Sequence, residues 1–164
     1  MRLYEFEAKK LFSKAGIPIP QGELVKSPED AKAFAEKLGK PVVLKAQILS
    51  GGRGKAGGIK FVQNPSEAER KVSELLSLKI KGFPVEMVLA EEKVELDKEL
   101  YLGVTIDRVN YKLVIIACTE GGMEIEEVAK KSPEKVRKLN LDIDERLYNF
   151  QCQALAKWLG VKGD

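Results

Sequence analysis

The run Val42-Val43-Leu44-Lys45-Ala46-Gln47-Ile48-Leu49 leads through Ser50 into Gly51-Gly52-Arg53-Gly54-Lys55-Ala56-Gly57-Gly58, and Ile59-Lys60-Phe61-Val62 follows. An apolar, β-branched stretch stands on each side of five glycines in eight residues, so the pattern predicts a strand, a glycine-rich connection and a second strand. That context decides the fold. A dinucleotide fingerprint needs its glycines between a strand and a helix N-terminus, and although Gly52, Gly54 and Gly57 satisfy G-x-G-x-x-G, here they open a strand. A Walker A loop is excluded as well, because Leu49 stands where its first glycine belongs and Ala56 where its magnesium-binding hydroxyl belongs. What remains is a hairpin whose glycines let backbone N–H groups approach a polyphosphate while Arg53 and Lys55 supply charge. By itself such a hairpin could equally be a surface turn. Lys45, inside the strand-like run just upstream, sharpens the phosphate reading, since a lysine there can meet the phosphates as a point charge.

Working outward, Leu3, Phe6, Leu11, Phe12 and Ala15 recur at near-helical spacing before Gly16, Pro18 and Pro20, predicting a helix over Leu3 to Ala15. Ser27-Pro28-Glu29-Asp30 offers an N-cap, a proline at the first helical position and acids in the first turn, so a second helix should run from Pro28 to Leu38. Asn64-Pro65-Ser66-Glu67 repeats that start signal for a third. Further β-rich runs are Val85 to Glu91, Leu100 to Ile106 and Lys112 to Cys118, the last two flanking a polar hairpin connection at Asp107-Arg108-Val109-Asn110. From Glu124 the pattern turns helical, broken at Ser132-Pro133, with a final helical run from Leu147 to Leu159. Helices mixed with hairpins argue for an α+β arrangement.

Composition narrows the chemistry. At 164 residues and 44% hydrophobic content, the chain can bury a core. Its 28 basic and 25 acidic side chains are interspersed, too even a balance to argue for nucleic acid. No apolar run reaches the roughly 18 residues a membrane span needs, and MRLYEFEAKK is not a signal peptide, so a cytoplasmic location is expected. Cys118 and Cys152 read as reduced thiols rather than a metal pair. Histidine is absent, which removes Ser-His and Cys-His pairs and histidine metal ligands. Lysine, arginine, carboxylates and backbone amides are left to do the work.

Five segments in order resemble one family. Leu3-Tyr4-Glu5-Phe6-Glu7-Ala8-Lys9 resembles its L-x-E-[YF]-x-A-K start, Val43-Leu44-Lys45-Ala46-Gln47 its first lysine strand, and Gly51 to Gly58 its G-G-R-G-K-A-G-G loop. Lys98-Glu99-Leu100-Tyr101-Leu102-Gly103 is similar to its K-E-L-Y-L-G strand, and Thr119 to Glu126 to its T-E-G-G-x-E-I-E segment. The family is the β subunit of succinyl-CoA synthetase, within the ATP-grasp group. The resemblance implies an ATP-grasp fold, present as an incomplete amino-terminal portion: a small nucleotide-covering subdomain over residues 21–94, and part of a second subdomain from residues 1–20 and 95–164. It further implies that Lys45 contacts the nucleotide phosphates and that Gly52, Arg53 and Gly54 form the flap. Glu91 would receive the adenine amino group, a backbone group at Val94 would read the base edge, and Glu99 would accept the ribose hydroxyls.

The implied cofactors are ATP or GTP with Mg2+, and the implied partner is the α subunit, whose histidine carries the phosphoryl group on its way to succinate before CoA takes the acyl group. A chain without histidine suits the β role. The family's magnesium ligands, an asparagine in an E-x-N-P-L-type strand and a later aspartate, are expected beyond Asp164, as is the carboxy-terminal ligase domain, so neither catalytic nor metal residues are expected here. One departure is visible: Ser50 stands in the segment where the family commonly has histidine before the glycine loop. Two other readings are a ligase for another acid, such as malate-CoA ligase or the related part of ATP-citrate lyase, and a non-enzymatic nucleic-acid module built on the Gly-Arg-Gly-Lys loop, which salt-sensitive oligonucleotide binding would reveal.

Overall fold

The computed structural model describes residues 2–122 and 124–161. The chain divides into two compact units, Met1–Glu95 and Leu96–Asp164; Met1, Met123 and residues 162–164 lie outside the described residues. The first unit contains α1 (Glu5–Lys14), β1 (Gly22–Val25), α2 (Pro28–Leu38), β2 (Val42–Ala46), β3 (Ile59–Val62) and α3 (Pro65–Leu76). The short strands β4 (Lys79–Ile80) and β5 (Phe83–Pro84) precede β6 (Val88–Glu92).

Both proline-led helices start as the sequence predicts. Ser27 Oγ accepts from the Asp30 amide at 3.1 Å and Asn64 Oδ1 from the Glu67 amide at 2.9 Å, each satisfying one of the amides that a helix start leaves without a partner. Helix α2 ends at Gly39 in the left-handed conformation, φ 64°. The strands align in the order β1-β6-β2-β3, every neighbour antiparallel. Alternation along each strand then sorts the two faces. One face carries Val25, Val42, Leu44, Ala46, Val62, Val88 and Ala90 and is covered by Ala31 and Phe34 of α2 and Val72 and Leu75 of α3, forming the core. The residues between them, Val43 and Lys45 on β2 and Leu89 and Glu91 on β6, therefore point to the opposite face. Helix α1 lies on that side.

The second unit contains β7 (Tyr101–Asp107), β8 (Lys112–Cys118), α4 (Ile125–Lys131), β9 (Val136–Asp142) and α5 (Asn149–Leu159), its strands ordered β7-β8-β9 and antiparallel. The β7-β8 turn is held by the Asp107 carboxylate, which accepts from the amides of Val109 at 2.9 Å and Asn110 at 3.1 Å. Among the described residues no helix is long and apolar enough to cross a membrane.

The α+β expectation holds, and Pro28–Leu38, Ile59–Val62 and Lys112–Cys118 coincide with the predicted spans. Strand β2 stops at Ala46 rather than Leu49, β6 begins at Val88 rather than Val85, and α1 begins at Glu5 rather than Leu3. One correction is larger. The helical reading after Glu124 ends at Lys131, and Val136–Asp142 is a strand, paired with β8 from Val136 opposite Cys118 to Asp142 opposite Lys112. A free edge of β8 recruits this segment, and sheet pairing overrides a weak local preference.

Candidate functional site

The antiparallel register of β2 and β3 makes residues 47–58 the connection of a hairpin. Its stem is fixed by backbone bonds from the Ala46 amide to the Gly58 carbonyl and from the Gly58 amide to the Arg53 carbonyl, both 2.8 Å. A Cβ added to Gly58 would stand 2.7 Å from Ile80 Cδ1 and 3.1 Å from the Arg53 carbonyl oxygen, so enlarging it would force these neighbours to shift. Gly52 and Gly57 adopt φ of 79° and 72°, a region that side-chain-bearing residues rarely enter.

Arg53 turns back from the loop onto the face opposite the core. Its Nη1 donates to the Ala46 carbonyl at 2.9 Å, and its Nη2 lies 2.6 Å from Glu5 Oε2. Lys45 Nζ lies 3.2 Å from Glu5 Oε1 and 2.7 Å from Glu91 Oε2. Lys9 Nζ closes the cluster by pairing with Glu91 Oε1 and, at 3.5 Å, with Glu5 Oε1. Glu91 is only 2% exposed, so its charge needs these two ammonium groups.

Helix α1 is held in position by Gln47, also 2% exposed, whose Oε1 accepts from the Phe6 amide at 3.2 Å while its Nε2 donates to the Lys45 carbonyl at 2.9 Å. The Phe6 amide is one of the helix-start donors with no partner inside the helix, so this contact completes the helix and registers Glu5 over Lys45.

The electrostatics follow from the geometry. Burial pushes the Glu5 carboxyl up, yet the charges of Lys45, Arg53 and Lys9 together with the Arg53 hydrogen bond outweigh it and hold the group below the usual carboxylate range. Burial pushes the Lys45 ammonium down, but the hydrogen bond to Glu91 and the charges of Glu5 and Glu91 prevail and raise it. Lys45 is therefore a fixed cation at neutral pH. Beside the cluster, a cleft of about 510 Å³ is lined in part by Phe6, Lys9, Gly22, Leu24, Leu89 and Glu91.

Of the sequence-predicted residues, Lys45, Arg53 and Glu91 converge in one ion network, with Gly52 and Gly54 in the loop above its arginine. Val94 follows β6 and is 47% exposed. Glu99 belongs to the second unit, where the Gly121 amide donates to its carbonyl at 2.9 Å and a Cβ on Gly122 would come within 2.6 Å of its Oε2. The Gly121-Gly122 pair thus lets the backbone wrap around Glu99. Sequence reasoning missed Glu5 and Lys9. The signal was available, since both are the charged positions fixed in the L-x-E-[YF]-x-A-K pattern that the Leu3-to-Lys9 segment matches.

Residues 2–164 match the family described as ATP-grasp domain. The chain is 48% identical over 163 residues to the succinate–CoA ligase [ADP-forming] subunit beta of Ignicoccus hospitalis, covering 99% of this chain and 43% of that protein. It is 41% identical over 164 residues to the succinate–CoA ligase [GDP-forming] subunit beta of Thermus thermophilus, covering 100% of this chain and 43% of that protein. The chain therefore spans less than half the length of these curated relatives. Among solved structures it is similar to the dinucleotide-forming acetyl-coenzyme A synthetase 1 of Ca. Korarchaeum cryptofilum in complex with coenzyme A, Ca-AMPCP and HgCl+, with a TM-score of 0.74, 25% identity, and coverage of 94% of this chain and 65% of that one.

Proposed function

Because the chain belongs to the ATP-grasp family, we propose that it is the nucleotide-binding part of the β subunit of an ADP-forming succinate–CoA ligase. The whole protein would join succinate to CoA while ATP becomes ADP and phosphate, through a phosphohistidine on an α subunit. The observation that carries this reading is the bridge from Lys45 through one carboxylate to Arg53: a strand lysine and a flap arginine already converge on a single anion beneath the glycine hairpin. Relatives named succinate–CoA ligase [ADP-forming] subunit beta at 41–48% identity support it, as does the Ca-AMPCP complex of the similar acetyl-coenzyme A synthetase.

In this reading Lys45 and Arg53 neutralise the phosphates, and the amides around Gly52 and Gly54 donate to them, so the contribution is positioning and electrostatics. The base enters the cleft beside Glu91. Each Glu91 oxygen accepts from a lysine and keeps a second lone pair, which suffices for an adenine amino group. A backbone group at Val94 reads the base edge and Glu99 takes the ribose hydroxyls. Residues 21–94 act as the covering subdomain and residues 1–20 with 95–164 as part of the second, in a cytoplasmic enzyme. Magnesium, which the family implies, would supply positive charge to offset that of the phosphates. The described residues offer no ligand set for it, since no three carboxylates or cysteines cluster suitably among them.

The test is an assay of the full-length protein with its α partner, succinate, CoA and ATP, coupled to ADP release. Succinate-dependent ADP formation that Lys45→Ala reduces by about 10²-fold or more supports the assignment. ADP formation that ignores succinate but responds to another acid moves the protein to a different ligase of the same fold.

A further inference from the structure

The Glu5 carboxylate occupies the position that an incoming anion would have to take. It lies against Lys45 Nζ with one oxygen and against Arg53 Nη2 with the other, and so bridges a side chain of strand β2 to a side chain of the glycine flap. A carboxylate placed between two cations of different elements imitates a phosphoryl group in charge and in span. We infer that Glu5 is a resident phosphate surrogate, so that a nucleotide binds by displacing it from Lys45 and Arg53, and Glu5 thereby sets the affinity of the site.

Three features carry the inference. The cluster holds three cations, Lys9, Lys45 and Arg53, against two carboxylates, Glu5 and Glu91, leaving one positive charge. That is a small surplus with which to hold a polyphosphate, and a phosphate brought to Lys45 and Arg53 while Glu5 stays would meet a like charge at close range. The two carboxylates are also not equivalent. Glu91 is fully buried on a central strand and keeps Lys9 when Lys45 turns away, whereas Glu5 sits in the first turn of a helix with its side chain 20% exposed. Finally, Lys9 pairs with both acids, so Glu5 has a cation to retreat toward at 3.5 Å. Displacement breaks the two ion pairs of Glu5 with Lys45 and Arg53 but strands no charge, because the phosphate takes over both cations and Lys9 stays beside Glu5.

This inference rests on the nucleotide reading of the site, and the experiment separates the two. Titration calorimetry with ATP is run on full-length wild type, Glu5→Gln and Lys45→Ala. Glu5→Gln keeps the side-chain shape, removes the competing charge, and should bind ATP about tenfold more tightly, within the usual range for two coupled ligands. Equal or weaker binding overturns the surrogate role, because an acid that merely props Lys45 in place would lower affinity when neutralised. Lys45→Ala binding ATP as wild type does would instead refute the nucleotide site itself. A second measurement needs no variant: hydrogen exchange of residues 2–9 in wild type should quicken on adding ATP, as Glu5 lets go of the strand and flap. Unchanged or slower exchange there counts against displacement.

Discussion

Gly22 lies directly across the β1-β6 ladder from Glu91, and a Cβ added to Gly22 would come within 2.7 Å of Glu91 Cγ. The missing side chain is what leaves room for a buried carboxylate on this face. Gly22→Ala must push Glu91 off its lysines or push β1 off β6. The expected cost is about 1–3 kcal/mol of stability, as for other overpacked sites, together with weaker nucleotide binding. Urea unfolding and an ATP titration of the same variant check both halves.

Lys45→Met should lower nucleotide affinity and also destabilise the first unit. Glu91, 2% exposed, would keep only Lys9, and a buried carboxylate that loses one of two partners costs about 1–3 kcal/mol. Adding Glu91→Gln to Lys45→Met should recover part of that stability but none of the affinity. Differential scanning calorimetry alongside binding separates the two effects.

Arg53→Lys should fail to replace arginine. The guanidinium reaches the Ala46 carbonyl with one nitrogen and Glu5 with another, a fork that a single ammonium cannot reproduce. Hydrogen exchange in residues 51–58 should therefore accelerate in the lysine variant without nucleotide. Exchange as slow as wild type would show that the stem bonds alone hold the flap.

Acid should weaken the cluster in a direction fixed by Glu5. Its carboxyl is held below the usual range by Lys45, Arg53 and Lys9 against the opposing effect of burial, so it stabilises the fold above its unfolded value of about 4.3. That contribution disappears as pH falls through the depressed folded value. The groups facing it are Lys45, Arg53 and Lys9, with Glu91 beyond them. The melting-temperature gap between wild type and Glu5→Gln should hold from pH 7 to about 5 and close below about 4.

Much of the first unit was legible because its signals are local. Ser27-Pro28 and Asn64-Pro65 announce their helices within four residues, and the glycine-rich stretch is readable as a hairpin from its two flanks alone. The segment 136–142 was not, since its pairing with β8 is a tertiary event that the stretch itself does not encode. Glu91 could be separated from Glu92 only by strand parity, which the register settles by placing Glu91 opposite Val43 on the face away from the core. Glu5 and Lys9 eluded residue-by-residue reading because an acid and a lysine four apart on a helix ordinarily mark a solvated face. Their partners are far away in the chain.

That separation bears on how the unit assembles. Glu5 meets Lys45 across 40 residues, Lys45 meets Glu91 across 46, and Lys9 meets Glu91 across 82, whereas the caps of α2 and α3 each close within three. Closing long loops costs chain entropy before any contact compensates for it. The β1-β6 and β2-β6 ladders close loops of similar length, but the apolar layer under α2 and α3 backs them, whereas α1 has no buried residue and is held to the sheet by its charged face and by Gln47. Among the helices of the first unit α1 is therefore expected to have the lowest threshold for local opening, and its detachment would uncover Lys45 and Glu91.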